Sequence, residues 1–168
     1  MTRAEMVATF MEKAAGAAAV AMEVADADAL REAIAALLPA AGAVYSPALS
    51  ELEVAAVQGV TPLVGYEEAQ VAVEEVFAGI AETGSIVCAS VEGRAVQGSL
   101  LPSHHVAILP AEKIYRTLDD FIGSIGTPPT NMAIITGPSR TADIELTLAI
   151  GVHGPERVDI FVVNPPVP

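Results

Sequence analysis

The chain has 168 residues, 52% of them hydrophobic, and its 8 Lys and Arg stand against 21 Asp and Glu for a formal charge of −13. That length fits a single domain over residues 1–168 with a core of its own, and the acidic balance works against nucleic-acid phosphates and anionic lipid as partners. Glu5, Glu12, Lys13 and Glu23 interrupt the Ala-rich start, so no apolar run there reaches bilayer length, and no basic leader precedes residues 14–22; the expected location is the cytoplasm, without membrane insertion. A lone cysteine, Cys88, can neither close an internal disulfide nor hold an iron–sulfur cluster by itself, and its expected role is core filling.

Thr2 followed by Glu5 is a capping box, and Met6, Val7, Phe10 and Met11 then share one helical face to about Ala15. A strand over Ala17–Val24 leads to Asp26 and Asp28, which open a helix striped with Leu30, Ile34, Leu37 and Leu38 before Pro39. A short strand at Gly42–Tyr45 precedes Ser46-Pro47, an N-cap with proline at the first helical position, and a helix to about Val57. After an extended piece at Pro62–Gly65, Glu67 and Glu68 suit the start of a helix along Val73, Val76, Phe77 and Ile80. Ile86–Val91 reads as a strand, Ala95–Leu100 as its hairpin partner, and His104–Leu109 as a buried strand feeding a helix along Ile114, Leu118 and Ile122. Gly123–Thr130 is a loop. The last strand is Val158–Val163, and Pro165, Pro166 and Pro168 make a non-helical tail. Alternating strands and helices predict an α/β fold with a mainly parallel sheet.

The densest run of polar and turn-forming residues is Thr136-Gly137-Pro138-Ser139-Arg140-Thr141, with Asp143 and Glu145 just beyond and His153 before Gly154-Pro155. Asn131–Ile135 before it is strand-like, and Ile144 and Leu148 recur at helical spacing, so the segment predicts strand, tight turn, helix. Free amides opening such a helix would make an anion pocket at Gly137–Thr141, with Asp143 bracing the turn. Ligands in parallel α/β sheets gather at the carboxyl ends of strands, so the loops near Ile135, Glu82 and His105 are expected to share one cleft. Glu82 at the end of a predicted helix and Arg140 at the start of another are both placed against the helix dipole, which one shared site would explain. His104 and His105 point to opposite faces of their strand, so only one can enter a given site. No close histidine or cysteine spacing predicts a metal, and no glycine-rich fingerprint predicts a nucleotide; the expected cofactor complement is none.

TGPSRTADIE and GVHGP, with Glu82-Thr83-Gly84-Ser85 and Leu101-Pro102-Ser103-His104-His105-Val106 upstream in the same order, resemble the lactate-utilisation (LUD) domain family, most strongly from Phe77 to Val163. The resemblance implies a three-layer α/β/α, Rossmann-like fold related to the sugar-phosphate isomerase and CoA-transferase superfamily. It also implies a part in oxidising L-lactate to pyruvate alongside iron–sulfur partner proteins, the redox centre lying on a partner. His105 rather than His104 matches the family pattern. The catalytic candidates are His105, His153 and Glu82. The ligand-binding candidates are Thr83, Gly84, Thr136, Gly137, Pro138, Ser139, Arg140, Thr141 and Asp143, for a small anion such as lactate or a phosphate compound. Two other readings stand beside it: an independent acyl-transfer or phosphosugar enzyme with Glu82 as nucleophile or general base, and a non-catalytic structural partner.

Overall fold

A computed structural model describes residues 1–38, 42–60, 62–91, 93–141, 149–150 and 154–164. Helix α1 (Arg3–Gly16) begins with the expected capping box: the Thr2 hydroxyl accepts the Glu5 amide at 3.2 Å and the Glu5 carboxylate accepts the Thr2 amide at 2.7 Å. Strand β1 (Val20–Val24) and helix α2 (Ala27–Leu37), capped by Asp26, follow as the pattern predicts. Then come β2 (Val44–Tyr45), α3 (Glu51–Ala56), β3 (Val71–Glu75), β4 (Ala78–Ile80) and β5 (Ser85–Ala89). β6 (His104–Pro110), β7 (Ile114–Tyr115), α4 (Leu118–Ser124), β8 (Met132–Ile135), β9 (Arg140–Thr141), β10 (Ala149–Ile150) and β11 (Arg157–Val163) complete the order.

Five strands form an all-parallel sheet in the order β1-β11-β6-β3-β2. Its inner strands β3, β6 and β11 are buried on both faces, which is why they read as nearly continuous apolar runs. One face, through Val71, Val73, Val106, Ile108, Phe161 and Val163, packs against α2 and α3. The other, through Ala107, Leu109, Val158, Ile160 and Val162, packs on Phe10 and Ala14 of α1 and on Ile86 and Cys88 of a second sheet. That sheet, ordered β7-β4-β5-β8, is mixed, and Phe121 of α4 packs with Ala78, Ile80 and Val87 on its far side. The expected parallel α/β fold is present, and the layer beyond the parallel sheet combines α1 with strands rather than holding helices alone.

Five element expectations change. Val71–Glu75 and Ala78–Ile80 are strands where a helix was expected, because Val71, Val73 and Val76 are buried against two different layers and no single helical stripe could serve both. The cap of α3 is Ser50, whose hydroxyl accepts the Glu53 amide while the Glu53 carboxylate accepts the Ser50 amide, a second capping box lying beyond Ser46-Pro47. Val96–Ser99 is a 3₁₀ turn instead of a hairpin strand. Ile114–Tyr115 pairs with β4, which delays α4 until Thr117 caps it. Arg140–Thr141 pairs antiparallel with Ala149–Ile150, so the turn after β8 leads directly into a strand, and the helix expected along Ile144 and Leu148 falls on 142–148, outside the described residues.

Candidate functional site

The four motifs, scattered through the sequence, are joined into one string by hydrogen bonds and the short stretches of chain between them. Ser85, at the start of β5 and buried, shares 2.7 Å hydrogen bonds with the hydroxyls of Thr83 and Thr136, both exposed. Three residues beyond Thr136, the Ser139 amide donates to the Pro155 carbonyl at 2.8 Å; next to Pro155, the Glu156 amide donates to the Ser103 carbonyl at 2.7 Å. Register explains the meeting: β5 pairs with β8, and β11 pairs with β6, so the residues flanking those strands are carried to one place. Two glycines let the string sit tightly on the end of α1. Gly84 (φ 68°) and Gly137 (φ 70°) adopt the left-handed region, and a Cβ on them would stand 2.1 Å from the Ala14 nitrogen and 2.0 Å from the Ala17 carbonyl oxygen.

This location corrects the expected one. The loop after Ile135 does follow the carboxyl end of β8, but Ser103, His104 and Glu156 lie at the amino ends of β6 and β11, whereas the cleft was expected at the carboxyl ends of strands. At the carboxyl ends there is a cleft of about 510 Å³, but Asp26, Asp28, Glu51 and Glu112 line it and no motif residue does.

The anion pocket is not built from helix amides either, because the Ser139 N–H is spent on Pro155 and Arg140 opens a strand. Arg140 itself is exposed. Glu82 is exposed in the β4–β5 turn and does not end a helix of its own; its carboxylate accepts the Leu118 amide at 2.7 Å, which satisfies the first turn of α4. Asp143, Glu145 and His153 lie outside the described residues, as does the Thr141 side chain.

The two adjacent histidines do face opposite ways. His104 Nε2–H donates to Asp159 Oδ2 at 2.6 Å on the face toward α2 and α3, and Arg157 holds the same carboxylate at 2.6 and 3.0 Å. Burial by itself would raise the Asp159 carboxyl; the hydrogen bonds from His104 and Arg157 outweigh it and hold that group below its ordinary value. His105 is wholly buried on the opposite face, with Nε2 3.1 Å from Glu74 Oε1 and the Cys88 thiol beside both.

In that pocket the ligating atoms of Glu74, Cys88 and His105 all lie within 4.8 Å of one another. Both ring nitrogens of His105 and Oε1 of Glu74 are buried without a well-aligned hydrogen bond. Burial first, and the Glu74 carboxylate second, push the Cys88 thiol well above its ordinary range. The same two causes, in the same order, raise the Tyr45 hydroxyl. The 3₁₀ turn lies flat over the cluster: a Cβ on Gly98 would stand 2.5 Å from the Tyr45 ring and 3.4 Å from Glu74 Oε2. Glu53 nearby is a contrast. It is fully buried, yet its two oxygens accept the amides of Leu49, Ser50 and Glu75 and pair with Arg94.

Residues 65–163, which include all four motifs, match the family described as the LUD domain. The chain belongs to the LUD domain family. Among its relatives, lactate utilization protein C of an Exiguobacterium strain is 36% identical over 94 residues, covering 52% of this chain and 41% of that protein. Lactate utilization protein C of Bacillus subtilis is 37% identical over 94 residues, covering 51% of this chain and 38% of its own length. The LUD-domain chain therefore spans about two fifths of the length of these relatives. A crystal structure of a DUF162 family protein from Deinococcus radiodurans superposes with a TM-score of 0.69 at 24% identity, covering 97% of this chain and 99% of that one, and shows the same fold.

Proposed function

We propose that this LUD-domain chain serves lactate utilisation, as a subunit that takes part in oxidising L-lactate to pyruvate together with iron–sulfur partner proteins. The observation that carries the reading is that hydrogen bonds tie the four family motifs together: Thr83 and Thr136 through the Ser85 hydroxyl, Ser139 to Pro155, and Glu156, next to Pro155, to Ser103. Family membership and the names of its relatives give that string its chemical meaning. Turning lactate into pyruvate removes two electrons and two protons, and the electrons need an acceptor. With a single cysteine this chain cannot carry a cluster alone, so the acceptor belongs to an iron–sulfur partner.

The chain's own contribution is to bind and orient. Thr83 and Thr136 offer exposed hydroxyls tied to a buried one, and Arg140, exposed four residues past Thr136, offers a guanidinium fork suited to a carboxylate. The anion is thus held by side chains at the Gly137–Thr141 turn, in place of the helix amides read from the sequence. The competing acyl-transfer or phosphosugar reading needs a free Glu82 nucleophile, and the bond from the Leu118 amide counts against it.

Calorimetric titration with L-lactate, pyruvate, CoA and a sugar phosphate tests the reading. Saturable binding of lactate or pyruvate, weakened roughly 10- to 150-fold by Arg140→Ala, is expected from the loss of a charge-assisted hydrogen bond. Binding of CoA or the sugar phosphate instead, or lactate binding indifferent to Arg140→Ala, would overturn it.

A further inference from the structure

We infer that Glu74, Cys88 and His105 form a buried metal site of zinc type, a thiolate–imidazole–carboxylate set that staples the parallel sheet to the second sheet. The ligands come from three strands: Glu74 from β3, His105 from β6 and Cys88 from β5. His105 is 0%, Glu74 2% and Cys88 4% exposed, so solvent cannot satisfy them. Buried imidazole nitrogens and a carboxylate oxygen without aligned hydrogen-bond partners are costly in such a place. A cation held by Glu74, Cys88 and one ring nitrogen of His105 gives the carboxylate oxygen and that nitrogen a partner.

Geometry and charge both fit. Tetrahedral zinc with bonds of about 2.0–2.3 Å sets neighbouring ligand atoms roughly 3.3–3.8 Å apart. Here the carboxylate and imidazole atoms are 3.1 Å apart and the whole set lies within 4.8 Å, so small side-chain rotations close it on an ion. Glu74 carboxylate, Cys88 thiolate and neutral His105 sum to two negative charges, which a divalent cation cancels, leaving a buried site of no net charge. Binding converts the Cys88 thiol to thiolate and releases its proton. Glu74 Oε2, or one water, completes the coordination. A small void lined by Glu74, Cys88, Arg94, Ala95 and Val96 adjoins the ligands. Sulfur and imidazole donors select zinc or cobalt over magnesium or calcium. The site stands independently of the lactate reading.

The test uses the untagged chain, unfolded in urea with a chelator, then refolded with Co²⁺ so that burial does not bar entry. One equivalent of cobalt should give a thiolate-to-metal charge-transfer band, and because Cys88 is the only cysteine the band assigns it even without a variant. Zn²⁺ should displace the cobalt and raise the urea midpoint. Cys88→Ser should abolish the band, and Glu74→Gln or His105→Gln should weaken binding more than about tenfold. Absence of a thiolate band at saturating cobalt, with an unchanged urea midpoint, would mean that the cluster is only packed and hydrogen-bonded.

Discussion

Three buried acids meet three different fates, and the differences follow from their neighbours. Glu53 is surrounded by donors, Asp159 is held by His104 and Arg157, and Glu74 faces a histidine and a thiol with an oxygen left over. Asp159 gives a pH test. Its carboxyl is held below the ordinary value when folded, so the stability it contributes is present above the unfolded carboxyl range and is lost as pH falls through the depressed value. The urea midpoint should therefore fall more steeply below about pH 4 in the wild-type chain than in Asp159→Asn, the reference being the unfolded carboxyl. Parallel slopes would show that the His104–Asp159–Arg157 cluster does not stabilise the fold. The opposite orientation of His104 and His105 was legible from strand alternation alone. Their partners were not, because Glu74 lies in a segment that reads as helix and Asp159 in one that reads as an ordinary buried strand.

At the scale of elements, two of the three expected caps read correctly, Ser46-Pro47 giving way to Ser50, and the choice between strand and helix read less well. Thr2–Glu5 and Asp26 start the helices they were expected to start, since a cap depends on three or four neighbouring residues. Val71–Ile80 misread because its valines suit a strand buried on both faces as well as a helical stripe, and only the neighbouring strands β6 and β5 decide. The error carried Glu82 with it. Once residues 78–80 are a strand, Glu82 is no longer opposed by a helix dipole; it caps one instead, across 36 residues of sequence. Glu82→Ala should then lower stability by about 1 kcal/mol, the usual cost of a lost cap, and leave lactate or pyruvate binding intact. A loss of turnover with unchanged stability would restore Glu82 to a catalytic role.

Across the whole molecule, two sheets share one core, and the motif string runs along their common border at the amino ends of β6 and β11. The sequence announced the motifs, and their order carried the family. Where they meet depended on a second sheet whose strands are only two to five residues long, too short for any periodicity to reveal. Among the described residues no helix is long and apolar enough to cross a membrane. The most direct test of the proposed role is reconstitution: L-lactate, the iron–sulfur lactate-utilisation proteins and this chain are combined, and pyruvate formation is followed. Pyruvate should form only when this chain is present, and Arg140→Ala should reduce its formation without unfolding the chain. Equal pyruvate formation with and without the chain would contradict the proposed role.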